Sequence, residues 1–421
     1  MAFRKNSSFP GCGSSRYAVF AVYYAPMNSV ESLRSSLRLY AVTPCGCAEE
    51  AVRAVLAGGA TFLQIREKNL PREVFVEKAR RFRTLCPSGV PYVVNDDLDV
   101  ALASGADGAH IGQGDGSVAE ARRKLGQDRI LGVSATTVAE AVAAERDGAD
   151  YLGVGAVFPT RTKDDAADVS PETLHAICAS VRIPVVAIGG IGEDNLPRLA
   201  GSGVAGAAVV SALFGADDPE AATRRMDAAT RAMVAAPVKE RKGALVDMDG
   251  TVLDSMWVWE ATDRELVSRY NVANAPEVLR HLTTVVHLRE GMDYLHDVCG
   301  VGESSEALRR EFRDRLRDYY EHRIPLLPGA REALEKMRAE GVRIALVTAT
   351  EESLALAAFR RLGIEHLIDQ FHCDVAKRNP EALYKVLDSL GTGVFESTLY
   401  DDVQFIRDVG LQAGLRVRES L

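Results

Sequence analysis

Beginning at Leu37, short apolar strands alternate with amphipathic helices eight times in about 200 residues, and this repeat constrains the fold more than any other feature. The strands read at Leu39–Val42, Phe62–Arg66, Tyr92–Asn95, Gly108–Ile111, Ile130–Ser134, Tyr151–Gly155, Pro184–Ile188 and Gly206–Val210. Between them lie stretches rich in Ala, Glu and Arg, such as Ala48–Leu56, Arg72–Cys86, Val138–Asp147 and Pro171–Val181. Strict strand–helix alternation demands a parallel sheet, because a parallel neighbour is reached only through a crossover. Eight units of this length suit a (β/α)8 TIM barrel. The alternative, a doubly wound open sheet, lacks its usual G-x-G-x-x-G turn after the first strand.

Within the second repeat, Thr61–Lys68 reads TFLQIREK. Period-two alternation puts Phe62, Gln64, Arg66 and Lys68 on one side and Leu63 and Ile65 on the other. A strand that sends two cations to one side needs anions to meet them, since unpaired buried charge costs several kcal/mol. The other strand ends carry matching groups. Strand three ends in Asn95-Asp96-Asp97, strand four in HIGQGD with Asp115, and strand five at Ser134. Strand six runs into PTRTK with Thr160, Thr162 and Lys163, strand seven ends in Gly189-Gly190, and strand eight at Val210-Ser211. Polar clusters at consecutive strand ends define the reactive rim of a barrel. Asp96 and Asp115 are hard oxygen ligands suited to Mg²⁺, Arg66, Lys68 and Lys163 balance phosphate charge, and Gly190 lets backbone come close to a ligand. His110 reads as a packing residue.

The ordered set QIREK, VND, HIGQGD, GVSA, PTRTK, AIGGI and VVSAL, from about Leu37 to Met226, resembles thiamine-phosphate synthase. The resemblance implies condensation of a hydroxymethylpyrimidine diphosphate with a thiazole phosphate, releasing pyrophosphate and thiamine phosphate. It implies that Gln64, Arg66, Glu67, Lys68, Asn95, Ser134 and Lys163 hold the pyrimidine diphosphate. Asp96 and Asp115 would hold Mg²⁺, and Thr160, Thr162, Gly190, Val210 and Ser211 the thiazole phosphate. Arg161, Asp164 and Asp165 read as solvent-facing.

Past an Ala-rich helix ending near Ala235, charged residues around Pro237 mark a linker over 236–242. The next stretch, GALVDMDGTVLDS, is an apolar strand ending in Asp247 and Asp249, two apart and on one side. Carboxylates this close repel unless a cation sits between them or one is protonated. Downstream come Thr348 at the end of an apolar strand, Lys377 in DVAKRNPEAL, and the pair Asp401-Asp402 after Leu399-Tyr400. Nucleophile, hydroxyl, lysine and acid pair in this order resemble the haloacid-dehalogenase-like (HAD-like) phosphatases. That resemblance implies a doubly wound α/β domain over 243–421 with a helical cap at about 255–325. It makes Asp247 the nucleophile and Asp249 the acid/base, with Lys377 and Thr348 on the phosphoryl group. Asp247, Asp402 and the Asp249 carbonyl would hold Mg²⁺, with Asp401 close by. Ala349, Arg378 and Tyr400 depart from the family's frequent residues without removing a reactive group. Trp257 and Trp259, at the cap entrance, can stack on a substrate ring or pack the cap against the core. Arg309–Arg323 reads as an exposed helix face.

Net charge −9 and a pI near 5.5 argue against a nucleic-acid partner. Seven scattered cysteines without C-x-x-C fit a reducing cytoplasm, and the apolar run Tyr17–Ala25 is too short for a bilayer. Residues 1–36 read as a disordered or dispensable extension, with Met1 or Met27 as the start. The expected partners are small molecules: the pyrimidine diphosphate, the thiazole phosphate and a phosphomonoester. A homo-oligomer is left open. The expected whole is a bifunctional thiamine-biosynthesis enzyme whose phosphatase acts on thiamine phosphate. The alternatives are a phosphatase with an unrelated or salvage substrate, or one domain acting only as a ligand-binding module.

Overall fold

The computed structural model describes residues 30–160, 168–285 and 288–421. All eight expected strands are present: β1 Leu39–Val42, β2 Phe62–Ile65, β3 Tyr92–Asn95, β4 Gly108–Ile111, β5 Ile130–Ala135, β6 Tyr151–Val154, β7 Val185–Ile188 and β8 Gly206–Val209. Each pairs in parallel with the next, and β8 returns to β1 with Leu39 opposite Ala207, so the sheet closes and the open-sheet alternative falls. The alternation in β2 sorts as its pattern demands. Phe62 packs inside the cylinder with Tyr40, Val93 and Tyr151, while Leu63 and Ile65 pack outward under the helices.

The cylinder also holds a chain of polar groups. Gln64 Nε2 donates to the Tyr40 hydroxyl at 2.6 Å, and that hydroxyl meets the Tyr151 hydroxyl at 2.8 Å. Tyr151 OH in turn lies 3.0 Å from His110 Nδ1, and His110 Nε2 lies 3.0 Å from Ser134 Oγ. Buried polar groups are tolerable only when partnered in this way. His110 is therefore a link between Tyr151 and Ser134 rather than an apolar filler. Gly132 makes room for it, since a Cβ there would sit 2.2 Å from Tyr151 Cζ and 2.5 Å from His110 Nδ1.

Residues 30–36, expected in the amino-terminal extension, belong to the fold. Val30–Ser36 form a helix, and its Leu33 is buried with Leu37 in the cluster that fills the cylinder. Residues 1–29 lie outside the described part.

The second sheet comprises β9 Lys242–Val246, β10 Val342–Val347, β11 Gln370–His372, β12 Ser397–Tyr400 and β13 Arg416–Arg418. All pairings are parallel, in the order β11-β10-β9-β12-β13. Lys242, expected in the linker, already belongs to β9. Four helices, Met256–Arg269, Ala275–Leu282, Leu288–Asp297 and Ser305–His322, stand between β9 and the helix Ala330–Ala339 that leads into β10. The last of the four buries Leu308, Phe312, Leu316 and Tyr320, one stripe at i, i+4 spacing, and turns its Arg and Glu residues outward in ion pairs. Among the described residues, Cys45, Cys47, Cys86, Cys178, Cys299 and Cys373 are free, and no helix is long and apolar enough to cross a membrane.

The two halves share a core. The helix Pro380–Leu390 packs on β9 and β10 and also on the barrel helices Val138–Arg146 and Pro171–Cys178. Its Leu383, Leu387 and Leu390 join the same buried cluster as Leu174 and Ile177 of the barrel. Polar groups close the joint. Asp388 Oδ1 accepts from Val138 N–H at 3.1 Å, Ser180 Oγ accepts from Val394 N–H at 2.9 Å, and His175 Nε2 lies 3.1 Å from Glu396 Oε2. Gly393 lies against Ala179, where a Cβ would come 2.3 Å from the Ala179 carbonyl carbon and oxygen. Backbone cannot give way as a side chain can, so Gly393→Ala should cost about 1–3 kcal/mol of stability, as overpacking does. Calorimetry should show a lowered Tm and limited proteolysis faster cleavage between residues 236 and 242. Wild-type behaviour in both would mean that the contact is loose.

Candidate active sites

On the barrel, the sites follow the carboxyl ends of the strands. Arg66 and Lys68 come directly after β2, Asp96 after β3, and Asp115 in the turn after β4. Lys68 Nζ lies 3.0 Å from Asp96 Oδ2. Burial raises the Asp96 pKa, the Lys68 ammonium opposes this, and the nearby Asp115 adds to the rise. Asp115 is brought back toward its strand by accepting from Gly112 N–H at 2.7 Å. The Arg66 guanidinium touches Cys45 Sγ at 3.6 Å and forms no ion pair among the described residues. Ser134 is fixed twice, at Oγ by His110 and at its carbonyl by Gln113 Nε2, 2.6 Å away. Asn95 closes β3 and is buried, while Thr160 follows β6. Val210 and Ser211 open the short helix Ser211–Phe214 after β8.

Glu67 and Gly190 are also engaged within the chain itself. Glu67 is buried, paired with Lys78 Nζ at 2.5 Å, and accepts from Gly46 N–H. It points to the side of the strand opposite Arg66, as alternation requires, and its charge is already spent. Gly190 has φ 62°, and a Cβ there would lie 2.4 Å from Pro159 O. The chain's own backbone therefore requires a residue without a side chain at this position. Thr162 and Lys163, with Arg161, Asp164 and Asp165, lie outside the described residues.

In the second domain, Asp247 follows β9, Thr348 follows β10, and Asp401 and Asp402 follow β12, so the parallel sheet delivers all of them to one edge. Lys377 arrives from the loop after β11. It is 3 % exposed, with Nζ 2.6 Å from Asp247 Oδ1 and 2.5 Å from Asp401 Oδ2. Burial works to lower the Lys377 pKa, but the two carboxylates outweigh it and hold the ammonium charged. Burial also raises the carboxyl of Asp402, and Asp401 adds to this.

The side chain of Asp249 lines the same cavity as Asp247 and is held there by three hydroxyls. Its Oδ1 accepts from Ser255 Oγ and Tyr320 OH, both at 2.5 Å, and its Oδ2 from Thr350 Oγ1 at 2.6 Å. Thr350 lies two residues beyond Thr348 and follows the same period, so its place was readable. Nothing local announces Tyr320, which arrives from a helix 71 positions downstream.

Oxygens of Asp247, Asp401 and Asp402 lie within 4.8 Å of one another. One lysine faces three carboxylates, and Asp402 Oδ1 is buried without a hydrogen-bond partner among the described residues. Such a cluster fits a divalent cation, because unpaired carboxylate oxygens in a buried site repel one another otherwise.

A cavity of about 630 Å³ extends from Asp247, Thr348 and Lys377 up to the cap, where Trp259, Met292 and Phe312 line it. Trp259 is held by an Nε1–H bond to Tyr320 OH at 2.9 Å. Trp257 is exposed, turns its Nε1–H to Asp254 O, and does not line the cavity. Arg378, one of the departures, pairs with Glu290 and so ties the core loop to the cap.

Comparison with known proteins bears on both halves. The thiamine monophosphate synthase family model matches residues 39–213, and the haloacid dehalogenase-like hydrolase model matches residues 241–410. The thiamine-phosphate synthase of Moorella thermoacetica is 52% identical over 186 residues, 44% of this chain and 89% of that protein. That of Chloroflexus aurantiacus is 48% identical over 198 residues, 45% of this chain and 91% of that protein. A solved thiamine phosphate pyrophosphorylase from Pyrococcus furiosus is 40% identical with a TM-score of 0.45, covering 48% of this chain and 99% of that one. A HAD-like hydrolase domain thus follows the barrel. With a closed eight-stranded cylinder and identities of this size across nearly the whole of shorter relatives, the chain belongs to the thiamine-phosphate synthase family.

Proposed function

We propose that the chain joins a hydroxymethylpyrimidine diphosphate to a thiazole phosphate in the barrel and hydrolyses the resulting thiamine phosphate in the second domain. The observation that carries the second half is Asp247, buried at the end of β9 with the Lys377 ammonium on one oxygen. A carboxylate so placed beside a fixed cation is suited to attack a phosphoryl group whose charge that cation also meets.

In the barrel, Arg66, Lys68 and Lys163 bind the diphosphate, with Gln64, Asn95 and Ser134 on the pyrimidine diphosphate and Asp96 and Asp115 as holders of Mg²⁺. Thr160, Thr162, Gly190, Val210 and Ser211 hold the thiazole phosphate. The bond from the methylene carbon to the diphosphate oxygen breaks, and its electron pair leaves with pyrophosphate. The thiazole nitrogen lone pair then forms the new C–N bond, so docking both partners supplies much of the acceleration. Water must be kept out, because it competes for the same carbon.

In the second domain, an Asp247 oxygen attacks phosphorus and the alcohol oxygen leaves with a proton from Asp249. Asp249 then takes a proton from the water that cleaves the aspartyl phosphate, releasing inorganic phosphate and restoring both carboxyls. Ser255, Tyr320 and Thr350 hold the Asp249 carboxyl in place through both steps, and Thr348 and Lys377 contact the phosphoryl oxygens. Asp247, Asp402 and the Asp249 carbonyl would hold Mg²⁺. At each site the ion supplies positive charge against phosphate oxygens.

Purified protein should release phosphate from thiamine phosphate with a kcat/KM well above that for sugar phosphates such as glucose 6-phosphate. A rate no better than for the sugar esters would remove thiamine phosphate as the substrate.

A further inference from the structure

We propose that the cavity beneath the cap selects phosphomonoesters whose alcohol portion carries a positive charge on an apolar or aromatic body, and that Asp263 reads that charge. This rests on the phosphatase reading above and narrows it.

The two ends of the cavity differ in character. At the floor, Lys377 and Thr348 suit phosphate oxygens. At the cap, Trp259 and Phe312 sit with ring centroids 5.5 Å apart and form, with Met292 and Leu282, an apolar wall. Asp263 follows Trp259 by four positions on the helix Met256–Arg269, so both side chains project from one face into this wall.

The other charged groups at this end are engaged. Glu260 pairs with Arg264 at 3.1 Å, and Arg378 pairs with Glu290. Asp263 alone among these five lining and flanking positions makes neither hydrogen bond nor ion pair among the described residues. Half-buried beside aromatic rings, its carboxyl is pushed up to about 7 by burial, with Glu260 adding to the rise. Ionisation there is costly while the cavity is empty. A ligand cation would offset that cost and also gain from the Trp259 face, whereas a neutral ligand would seal an unpaired carboxyl from water. Discrimination by charge follows from this difference. A carboxyl that merely tolerated partial burial would give no such preference.

Phosphocholine and 3,3-dimethylbutyl phosphate test the point, since they share a shape and differ by a quaternary nitrogen in place of a carbon. The full-length protein should favour phosphocholine by about tenfold or more in kcat/KM, the worth of one well-placed charge pair. Asp263→Asn should bring the ratio close to unity, and Asp263→Glu should restore part of it. A wild-type ratio near one, or a ratio that Asp263→Asn leaves in place, overturns the proposal.

Binding can be read without turnover. Both tryptophans of the chain lie on the cap helix, so their fluorescence reports Kd for the same two esters in full-length Asp247→Asn. If wild-type protein hydrolyses no ester at all, the phosphatase reading fails. The charge preference is then judged on these Kd values alone: a tenfold gap that closes when Asp263→Asn is added upholds it, and equal values end it.

Discussion

Asp247→Asn should abolish phosphate release from every ester while pyrophosphate release by the barrel continues. An amide has no free carboxylate pair with which to attack phosphorus, and losing a covalent nucleophile typically costs on the order of 10³-fold or more in kcat. Folding is not expected to suffer. The substitution takes one of three clustered carboxylates away from a site with a single lysine, and Lys377 keeps Asp401 at 2.5 Å. Relief of repulsion therefore works against the loss of one ion pair. Parallel assays of phosphate from p-nitrophenyl phosphate and of pyrophosphate from the two synthase substrates give the answer. Substantial phosphate release by the variant would remove Asp247 as the nucleophile, and loss of both activities would mean that the sites are not independent.

Arg66→Ala should do the reverse, lowering synthase kcat/KM by roughly 10²-fold, the size expected for one charge-stabilising donor at a leaving group. The position is informative because Arg66 pairs with no carboxylate among the described residues. Its removal takes away a cation without stranding an anion, so a loss of rate reports substrate contact rather than a collapsed rim. Lys68 could not be read so cleanly, since it holds Asp96 at 3.0 Å and its removal would free that carboxylate. A change of less than about threefold, with thermal stability preserved, would take Arg66 out of the diphosphate site.

Much of this was legible in the chain because both folds place chemistry at strand ends. Period-two alternation in β2 separated Phe62 and Gln64 from Leu63 and Ile65, and the closed sheet sorts them to opposite sides. The spacing of Asp247 and Asp249 put both carboxylates on one side of the strand end. It could not tell that the Asp249 side chain turns to three hydroxyls, because Tyr320 approaches through tertiary packing. The contacts of Glu67 with Lys78 and Gly46 were not legible, because they depend on how the helix after β2 packs. His110 and Tyr151 form a link that no local pattern encodes, since β4 and β6 are brought side by side over Gly132 of β5 only when the three strands pair. Asp263 was invisible for the same reason: its isolation depends on Glu260 and Arg378 finding partners elsewhere.

The helix Pro380–Leu390 buries apolar residues against both the barrel and the second sheet. Cutting the gene at the linker would strip one flank of each product and bare leucines to water, a recipe for aggregates rather than for two tidy enzymes. Genetic dissection of the paired activities is better done by point substitution in the intact polypeptide. Any change on the barrel helix Pro171–Cys178 should also be checked for its echo in ester hydrolysis, because that helix is scaffolding for both.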